Sequence, residues 1–333
     1  MTIRVLSAAD IDRALTPTDA VESMRSAFSQ LSGGAATVPV RGGVQSELGL
    51  TLLMPAFLAG SRELGAKIVS LFPGNRDTPP ISGAVLLLDA ATGNPKALLD
   101  GSRLTALRTA AGSALATELL APPDADVLAV FGAGTQGRSH IEVISATRPL
   151  REIRIVSRAV ESARRLADDV VAHLDLVPVG SGAPDPVVRV LENPAEAVTG
   201  ATLIVAATTS TTPVFDGSAV AAGTHVNGVG SFKPEMQEVD LSVLTRARVV
   251  VDQREAAWEE AGDLIVPLEA GEVGRDIVDC ELGEILNGDA PTGGDGHELT
   301  FFKSVGNAAQ DVAIAGMTLA RAESADVGVV VPF

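Results

Sequence analysis

Residues 126–158 constrain this chain more than any other stretch. The apolar run 127–131 (VLAVF) has the length and β-branched content of a buried strand. Gly132, Gly134 and Gly137 follow at G-x-G-x-x-G spacing, and His140, Ile141, Val143 and Ile144 suit a helix behind them. A second apolar run at 153–156 closes a β-α-β unit of the expected length. Gly132 permits the tight strand-to-helix turn, Gly134 lets backbone approach a pyrophosphate, and Gly137 lets helix and strand pack closely. The helix start adds unpaired N–H groups and the positive end of its dipole. In a chain with 33 glycines the motif alone could be an ordinary loop. Strand, helix and second strand together favour dinucleotide binding.

The end of the second strand bears on the choice of cofactor. An acid there accepts from the ribose 2′-OH in NAD-binding units. Ser157 and Arg158 stand there instead, with Arg164 and Arg165 one to two turns on. A hydroxyl and a guanidinium would hold a 2′-phosphate that a carboxylate would repel. NADPH is therefore the expected cofactor, with NADH as the alternative. Arg158 on a merely solvated turn is the plainer reading.

At 333 residues the chain has room for two domains. Its net charge of -17 argues against nucleic acid and against anionic membrane surfaces as partners. The lone cysteine, Cys280, excludes an intrachain disulfide and a cysteine-cluster metal site. His140, His173, His225 and His297 show no pair at ligand spacing, so no metal is expected. Without a secretory h-region at the start or an apolar run near membrane-spanning length, a soluble cytoplasmic protein is expected.

Taken in order, Thr16-Pro17-Thr18-Asp19 reads as a capped helix start, with Val21, Met24, Phe28 and Leu31 as its apolar stripe and Gly33-Gly34 as its stop. A strand is expected over 49–53 and another over 64–72. On the latter, Lys67 shares a face with Gly65, Val69 and Leu71. Such a lysine either snorkels to an edge or lines a cleft where desolvation lowers its pKa. Residues 84–89 and 96–99 make a β-hairpin, and 102–120 a helix. Arg108 lies about 40° around that helix from Leu104, at the edge of its apolar stripe. Pro122-Pro123 marks a boundary. Apolar runs at 203–207, 224–229 and 248–251 then continue a mostly parallel sheet, whose ligands sit at the strands' carboxyl ends. A strand over 299–305 and a helix over 307–320 complete the chain. Glu259-Glu260 and Asp168-Asp169 read as solvated helix faces, and Trp258 as packing.

Together GAKIVSLFPGN, LLLDAATGNPKALLDGSRLTALRTAA, VFGAGTQG, VNGVGSFKPEMQEVD and FFKSVGNAAQD resemble the ornithine cyclodeaminase/mu-crystallin family through nearly the whole chain. The resemblance implies an α/β fold. A Rossmann dinucleotide-binding domain would span 121–303, and an α+β substrate and dimerisation domain, built from both chain termini, 1–120 and 304–333. It matches Arg41 and Lys67 to positions that hold the substrate carboxylate, with Lys67 catalytic beside the reacting carbon. Ser82, Arg108, Thr109, Gly132, Gly134, Thr135, Gln136, Gly137, Ser157, Arg158, Thr208, Val229, Gly230 and Ser231 match cofactor contacts. Ser304 and Val305 match positions beside the nicotinamide and the substrate. Asp311 lies in the family's QD signature, as a structural or site-supporting residue.

One departure separates the family's members. Cyclodeaminases carry an acid/base aspartate in a Val-Gly-Gly-Asp run, where this chain has Val229-Gly230-Ser231-Phe232. Phe232 cannot exchange a proton. The chain is thus more similar to the family's ketimine reductases, which reduce Δ1-pyrroline-2-carboxylate and Δ1-piperideine-2-carboxylate. Alanine-type or opine-type dehydrogenation shares every residue named, and a hormone-binding role without turnover is the reading from a different class. A small imino or amino acid is the expected partner, and a homodimer the expected assembly.

Overall fold

The computed structural model describes residues 2–333. The chain divides into two compact units, one formed by 1–108 with 307–333 and the other by 109–306.

The first unit is built on a mainly antiparallel sheet. Its strands are β1 (Thr2–Leu6), β2 (Ala36–Thr37), β3 (Gly42–Gln45), β4 (Leu50–Leu58), β5 (Glu63–Leu71), β6 (Ile81–Leu88) and β7 (Pro95–Asp100). The order is C-terminal strand Val329–Pro332, β1, β7, β6, β5, β4, β2, with β3 also pairing β4. The expected hairpin is β6–β7. Its turn closes because the Asp89 carboxylate accepts from the Ala91 and Thr92 amides while Gly93 takes a φ of 74°. The strand expected over 49–53 runs on to Leu58, since antiparallel pairing with β5 carries it through Pro55.

Two helices cover one face of this sheet. Pro17–Ser32 starts as its sequence indicates: the Thr16 hydroxyl accepts from the Asp19 amide, and the Asp19 carboxylate caps the Thr16 amide in return. Val21, Met24 and Phe28 are buried. Helix Ala308–Ser324, capped by Asn307, packs against Pro17–Ser32 and across β4, β5 and β6. Gly65 makes this close approach possible. A Cβ there would stand 2.6 Å from the Leu86 carbonyl oxygen and 3.4 Å from Val312 of the helix. Val44, Leu53, Ile68 and Leu98 lie on the opposite face of the sheet by their pairing register, and all four are exposed.

The second unit carries a fully parallel sheet: β8 (Val127–Phe131), β9 (Glu152–Val156), β10 (Val187–Val190), β11 (Leu203–Ala206), β12 (His225–Gly228), β13 (Ala247–Val251), β14 (Val278–Glu281) and β15 (Leu299–Lys303). The order β10-β9-β8-β11-β12-β15-β13-β14 reverses direction between β8 and β11. That reversal is the switch point of a Rossmann-type sheet, where ligands meet the carboxyl ends of the strands. β8, β11 and β13 are buried along their whole length, as helices on both faces require. Among the described residues no helix is long and apolar enough to cross a membrane.

Candidate active site

The glycine loop has the geometry its spacing indicates. Gly132 turns the chain out of β8 with a φ of 115°, a conformation that L side chains rarely adopt. A Cβ at Gly137 would run into the Gly132 carbonyl oxygen, so helix Thr135–Thr147 can pack on β8 only with glycine there. Gly134 is different: a Cβ there would meet nothing within 4 Å. It is the N-cap of that helix and offers no side-chain cap, which leaves the first-turn amides without a side-chain acceptor. Gln136 Oε1 is buried without a hydrogen-bond partner. The glycine turn and the open helix start fit an anionic dinucleotide. At the end of β9, Ser157 is half-buried and Arg158 exposed, whereas Arg164 is engaged by Glu161 at 2.6 Å and Arg165 donates to Ser162.

Past the sheet, the strand-end loops are held by carboxylates that sequence reading did not single out. Glu238, fully buried, accepts from the Thr208 amide, from Thr208 Oγ1 at 2.8 Å, from the Gly230 amide at 2.6 Å and from the Ser231 amide at 3.1 Å. One side chain thus joins the loop after β11 to the loop after β12. Asp263 accepts from the Glu238 and Val239 amides and pairs with Lys303 Nζ at 3.0 Å, all three side chains being fully buried. Burial and the neighbouring Asp263 charge push the Glu238 carboxyl above its ordinary range, against the pull of Lys303 and Thr208. Ser231 is enclosed as well: its hydroxyl donates to Met236 O and accepts from the Asp263 amide. After β15, Ser304 Oγ and the Val305 and Gly306 amides all donate to Asp252 Oδ2, at 2.8, 3.0 and 2.7 Å. Glu238 and Asp252 carry a weak sequence signal, a lone acid just beyond or between apolar runs.

In the first unit, Lys67 is buried at 3% exposure on the helix-covered face of β5, flanked in register by Met54 and Val85. Its Nζ lies 2.6 Å from Asp311 Oδ2. Arg108 Nε reaches the other carboxylate oxygen at 3.1 Å, and Arg108 Nη1 donates to Gln310 Oε1 at 2.9 Å. Desolvation is the main force on Lys67. Asp311 opposes it, while the Arg108 and Arg41 charges add to it, and the ammonium is pushed down to about 8. Burial would raise the Asp311 carboxyl, yet Lys67 and Arg108 hold it below the usual carboxylate range. The snorkelling alternative for Lys67 is thereby replaced: the lysine is desolvated, paired and close to titrating. Arg41 is half-buried and near enough for its charge to be felt at Lys67.

The remaining expected residues are placed as follows. Ser82 is exposed on β6, Thr109 is buried, Val229 is buried after β12, and Val305 and Phe232 are half-buried. His140 is enclosed, with its ring nitrogens against Gln136 O and Ser113 Oγ, and burial pushes it down to about 4. His225, between Thr300 and Asn227, is pushed down to about 3 for the same reason. Both are packed neutral histidines. Trp258 lies partly buried against the sheet core with Arg275 over its ring. Burial pushes the Cys280 thiol up to about 12.

A parallel sheet with this glycine cradle in the second unit, and a buried cationic cluster in the first, define a dinucleotide-binding α/β protein. The chain belongs to the ornithine cyclodeaminase/mu-crystallin family, whose model matches residues 1–326. Among its relatives is the Δ1-pyrroline-2-carboxylate reductase of Bacillus cereus, 36% identical over 329 residues that cover 97% of this chain and 98% of that protein. The Thermococcus litoralis Δ1-pyrroline-2-carboxylate reductase, solved with NADH and L-proline, superposes with a TM-score of 0.89 at 31% identity, covering 98% of this chain and 99% of that one. An archaeal alanine dehydrogenase, solved as a dimer with bound NAD, gives the same TM-score at 28% identity, with both chains fully covered.

Proposed function

We propose that this protein reduces the C=N bond of a cyclic 2-imino acid, Δ1-pyrroline-2-carboxylate or Δ1-piperideine-2-carboxylate, to the L-amino acid. The observation that carries the reading is the desolvated Lys67 ammonium, pushed down to about 8 and paired with Asp311 beside Arg108 and Arg41. A bound nicotinamide supplies the hydride. Arg41 binds the carboxylate of the substrate through a two-pronged ion pair and so selects the face presented for reduction. Lys67 stands against carboxylate and imine and delivers the proton to nitrogen. Val305 sits on the loop after β15 that Asp252 holds. Phe232, lacking an exchangeable proton, stands against ornithine cyclodeamination. The similarity to an archaeal alanine dehydrogenase supports a second reading, reductive amination of an acyclic 2-oxo acid at the same cations.

NADPH is the preferred cofactor in this reading. Arg158 is exposed at the end of β9 beside Ser157, where a 2′-phosphate would seat. The assembly is a homodimer. The exposed apolar row Val44, Leu53, Ile68 and Leu98 is what an antiparallel sheet shows when a partner covers it, and the alanine dehydrogenase relative is dimeric. The compartment is the cytoplasm, where reduced nicotinamide cofactor is drawn on for such reductions.

The test follows NADPH and NADH oxidation with pyrroline-2-carboxylate, piperideine-2-carboxylate, and pyruvate plus ammonia or methylamine, with ammonia release from ornithine as control. Fastest turnover with a cyclic imine supports the reading. Ammonia release from ornithine without net cofactor change would overturn it, and faster turnover of pyruvate with ammonia would move the assignment to alanine.

A further inference from the structure

The two oxygens of Asp311 are divided between cations of the first unit: Oδ2 faces Lys67 Nζ at 2.6 Å, and Oδ1 accepts from Arg108 Nε at 3.1 Å. Its position is fixed from several directions. It lies in the first turn of helix Ala308–Ser324, where the helix dipole favours an anion, and the Asn307 cap secures that turn. Neighbouring Ala308, Ala309, Val312 and Ala315 are buried, so the helix cannot roll without opening the core. On the other side, Gly65 keeps β5 close to the helix, and the Lys67 stem stands between Met54 and Val85.

We propose that Asp311 is a positioning residue for imine reduction: it fixes the Lys67 amine where the substrate nitrogen is met and keeps it charged until it gives up its proton. The inference rests on the imine-reductase reading above and assigns a role that the residue's place in the family signature leaves open. Its physical basis is the set of charges that act most strongly on Lys67. These are Asp311, Arg108 and Arg41. Neither flanking strand contributes a charge, for Met54 and Val85 are apolar. Glu63 shares the face of β5, but four residues away it is about 13 Å along the strand. Desolvation and two guanidiniums therefore favour the neutral amine, and among these strongest influences Asp311 favours the ammonium. A neutral amine could accept a hydrogen bond from an iminium but could not protonate an imine. Structural pairing alone does not require the split geometry, because Arg108 and Gln310 would already satisfy one another through Nη1.

The test is direct because the chain has four lysines, Lys67, Lys96, Lys233 and Lys303. Nitrogen-15 labelled lysine allows the Nζ resonance of Lys67 to be titrated by NMR without substrate, with Lys67→Met identifying the signal. In Asp311→Asn the titration should move down by at least about one pH unit, the shift that loss of a close opposite charge produces. Reduction at neutral pH should fall about 100-fold in kcat, with the basic limb of the pH profile moving down in parallel, while NADPH binding stays within a few-fold. Asp311→Glu retains the charge, so its titration should stay near that of the wild type and recover part of kcat. An unmoved Lys67 titration in Asp311→Asn, or a shifted one in Asp311→Glu, overturns the proposal. If Asp311→Asn does not fold, the glutamate variant still decides. Failure of wild-type protein to reduce any imine would defeat the functional reading while leaving the titrations to judge Asp311.

Discussion

The two units each bury a cluster of charged side chains, and the clusters are mirror images in sign. The first unit sets Lys67 and Arg108 against one carboxylate, Asp311, with the Arg41 charge close by. The second sets Glu238 and Asp263 against one ammonium, Lys303. The destinations of the unbalanced charge differ more than its sign. The extra negative charge of the second cluster is met by backbone: Glu238 and Asp263 accept from the amides of Thr208, Gly230, Ser231, Glu238 and Val239. In the first cluster the cations converge on one carboxylate and one amide oxygen, Asp311 and Gln310 Oε1, and the excess of positive charge suits an anionic ligand. A buried network satisfied by its own backbone holds a shape, whereas one left with unbalanced charge selects a ligand.

The sharpest way to break this comparison is to remove one lysine from each cluster. Lys67→Met should lower turnover by about 1,000-fold, within the usual span for a positioned proton donor, with NADPH affinity and melting temperature nearly unchanged. Retention of most of the activity would show that the first cluster is structural like the second. The pH dependence follows from the same group. With Lys67 pushed down to about 8, the donor form is present below that pH and lost above it, so reduction should decline above about 8 while oxidation of the amino acid rises.

Lys303→Met should do the reverse. It leaves Asp263 as an unpaired buried charge, at a cost of about 3–5 kcal/mol, and the loss is read as melting temperature. The sign with pH is set by Glu238. Its carboxyl is raised in the folded protein, so its contribution to stability is full below the ordinary value of 4.5 and is lost as pH rises through the folded value. Removing Lys303 raises that carboxyl further and steepens the loss, so the variant should melt relatively better in mild acid. Glu238→Gln is the gentler probe. An amide can no longer accept at both ends, so about 2 kcal/mol of stability should go and the KM for NADPH should rise, while the Lys67-dependent pH limb stays in place. A moved limb would mean that the clusters do not act separately.

The units also differ in how much of them the sequence reveals. The β-α-β around Gly132 was legible because strand, turn and helix each leave a local mark: the structure places β8 and β9 within a residue of the expected runs, with helix Thr135–Thr147 carrying His140, Ile141, Val143 and Ile144 between them. β1 was not, because a five-residue strand carries little period. Its partner, Val329–Pro332, lies at the opposite end of the chain, with Thr2 pairing Pro332. The same distinction holds in the sites. Lys67 was conspicuous as a cation on an apolar strand face, and Arg108 as one at the edge of a helix stripe. Asp311 stood in a recognisable motif, but its meaning depends on residues more than 200 positions away in the chain. Glu238 and Asp263 were hidden for the opposite reason. Acids in a chain with 42 Asp and Glu residues read as solvated surface until the backbone amides that they accept from are known.

Arg158 offers the smallest effect and a third kind of charge, one held by neither a buried partner nor backbone. It is exposed at the end of β9, so solvent screens whatever it binds and an interaction there is weaker than one in either cluster. A charge-assisted bond to a 2′-phosphate at such a position contributes about 1.5 kcal/mol, or roughly tenfold in affinity. Arg158→Ala should therefore raise the KM for NADPH about tenfold and leave that for NADH unchanged, with kcat the same for both. The control lies on the following helix. Arg164, already engaged by Glu161, should give a much smaller change when replaced by alanine. Equal changes in the two KM values for Arg158→Ala would mean that the guanidinium touches the shared part of the cofactor or only solvent. Any preference for NADPH would then have to come from elsewhere on the second unit.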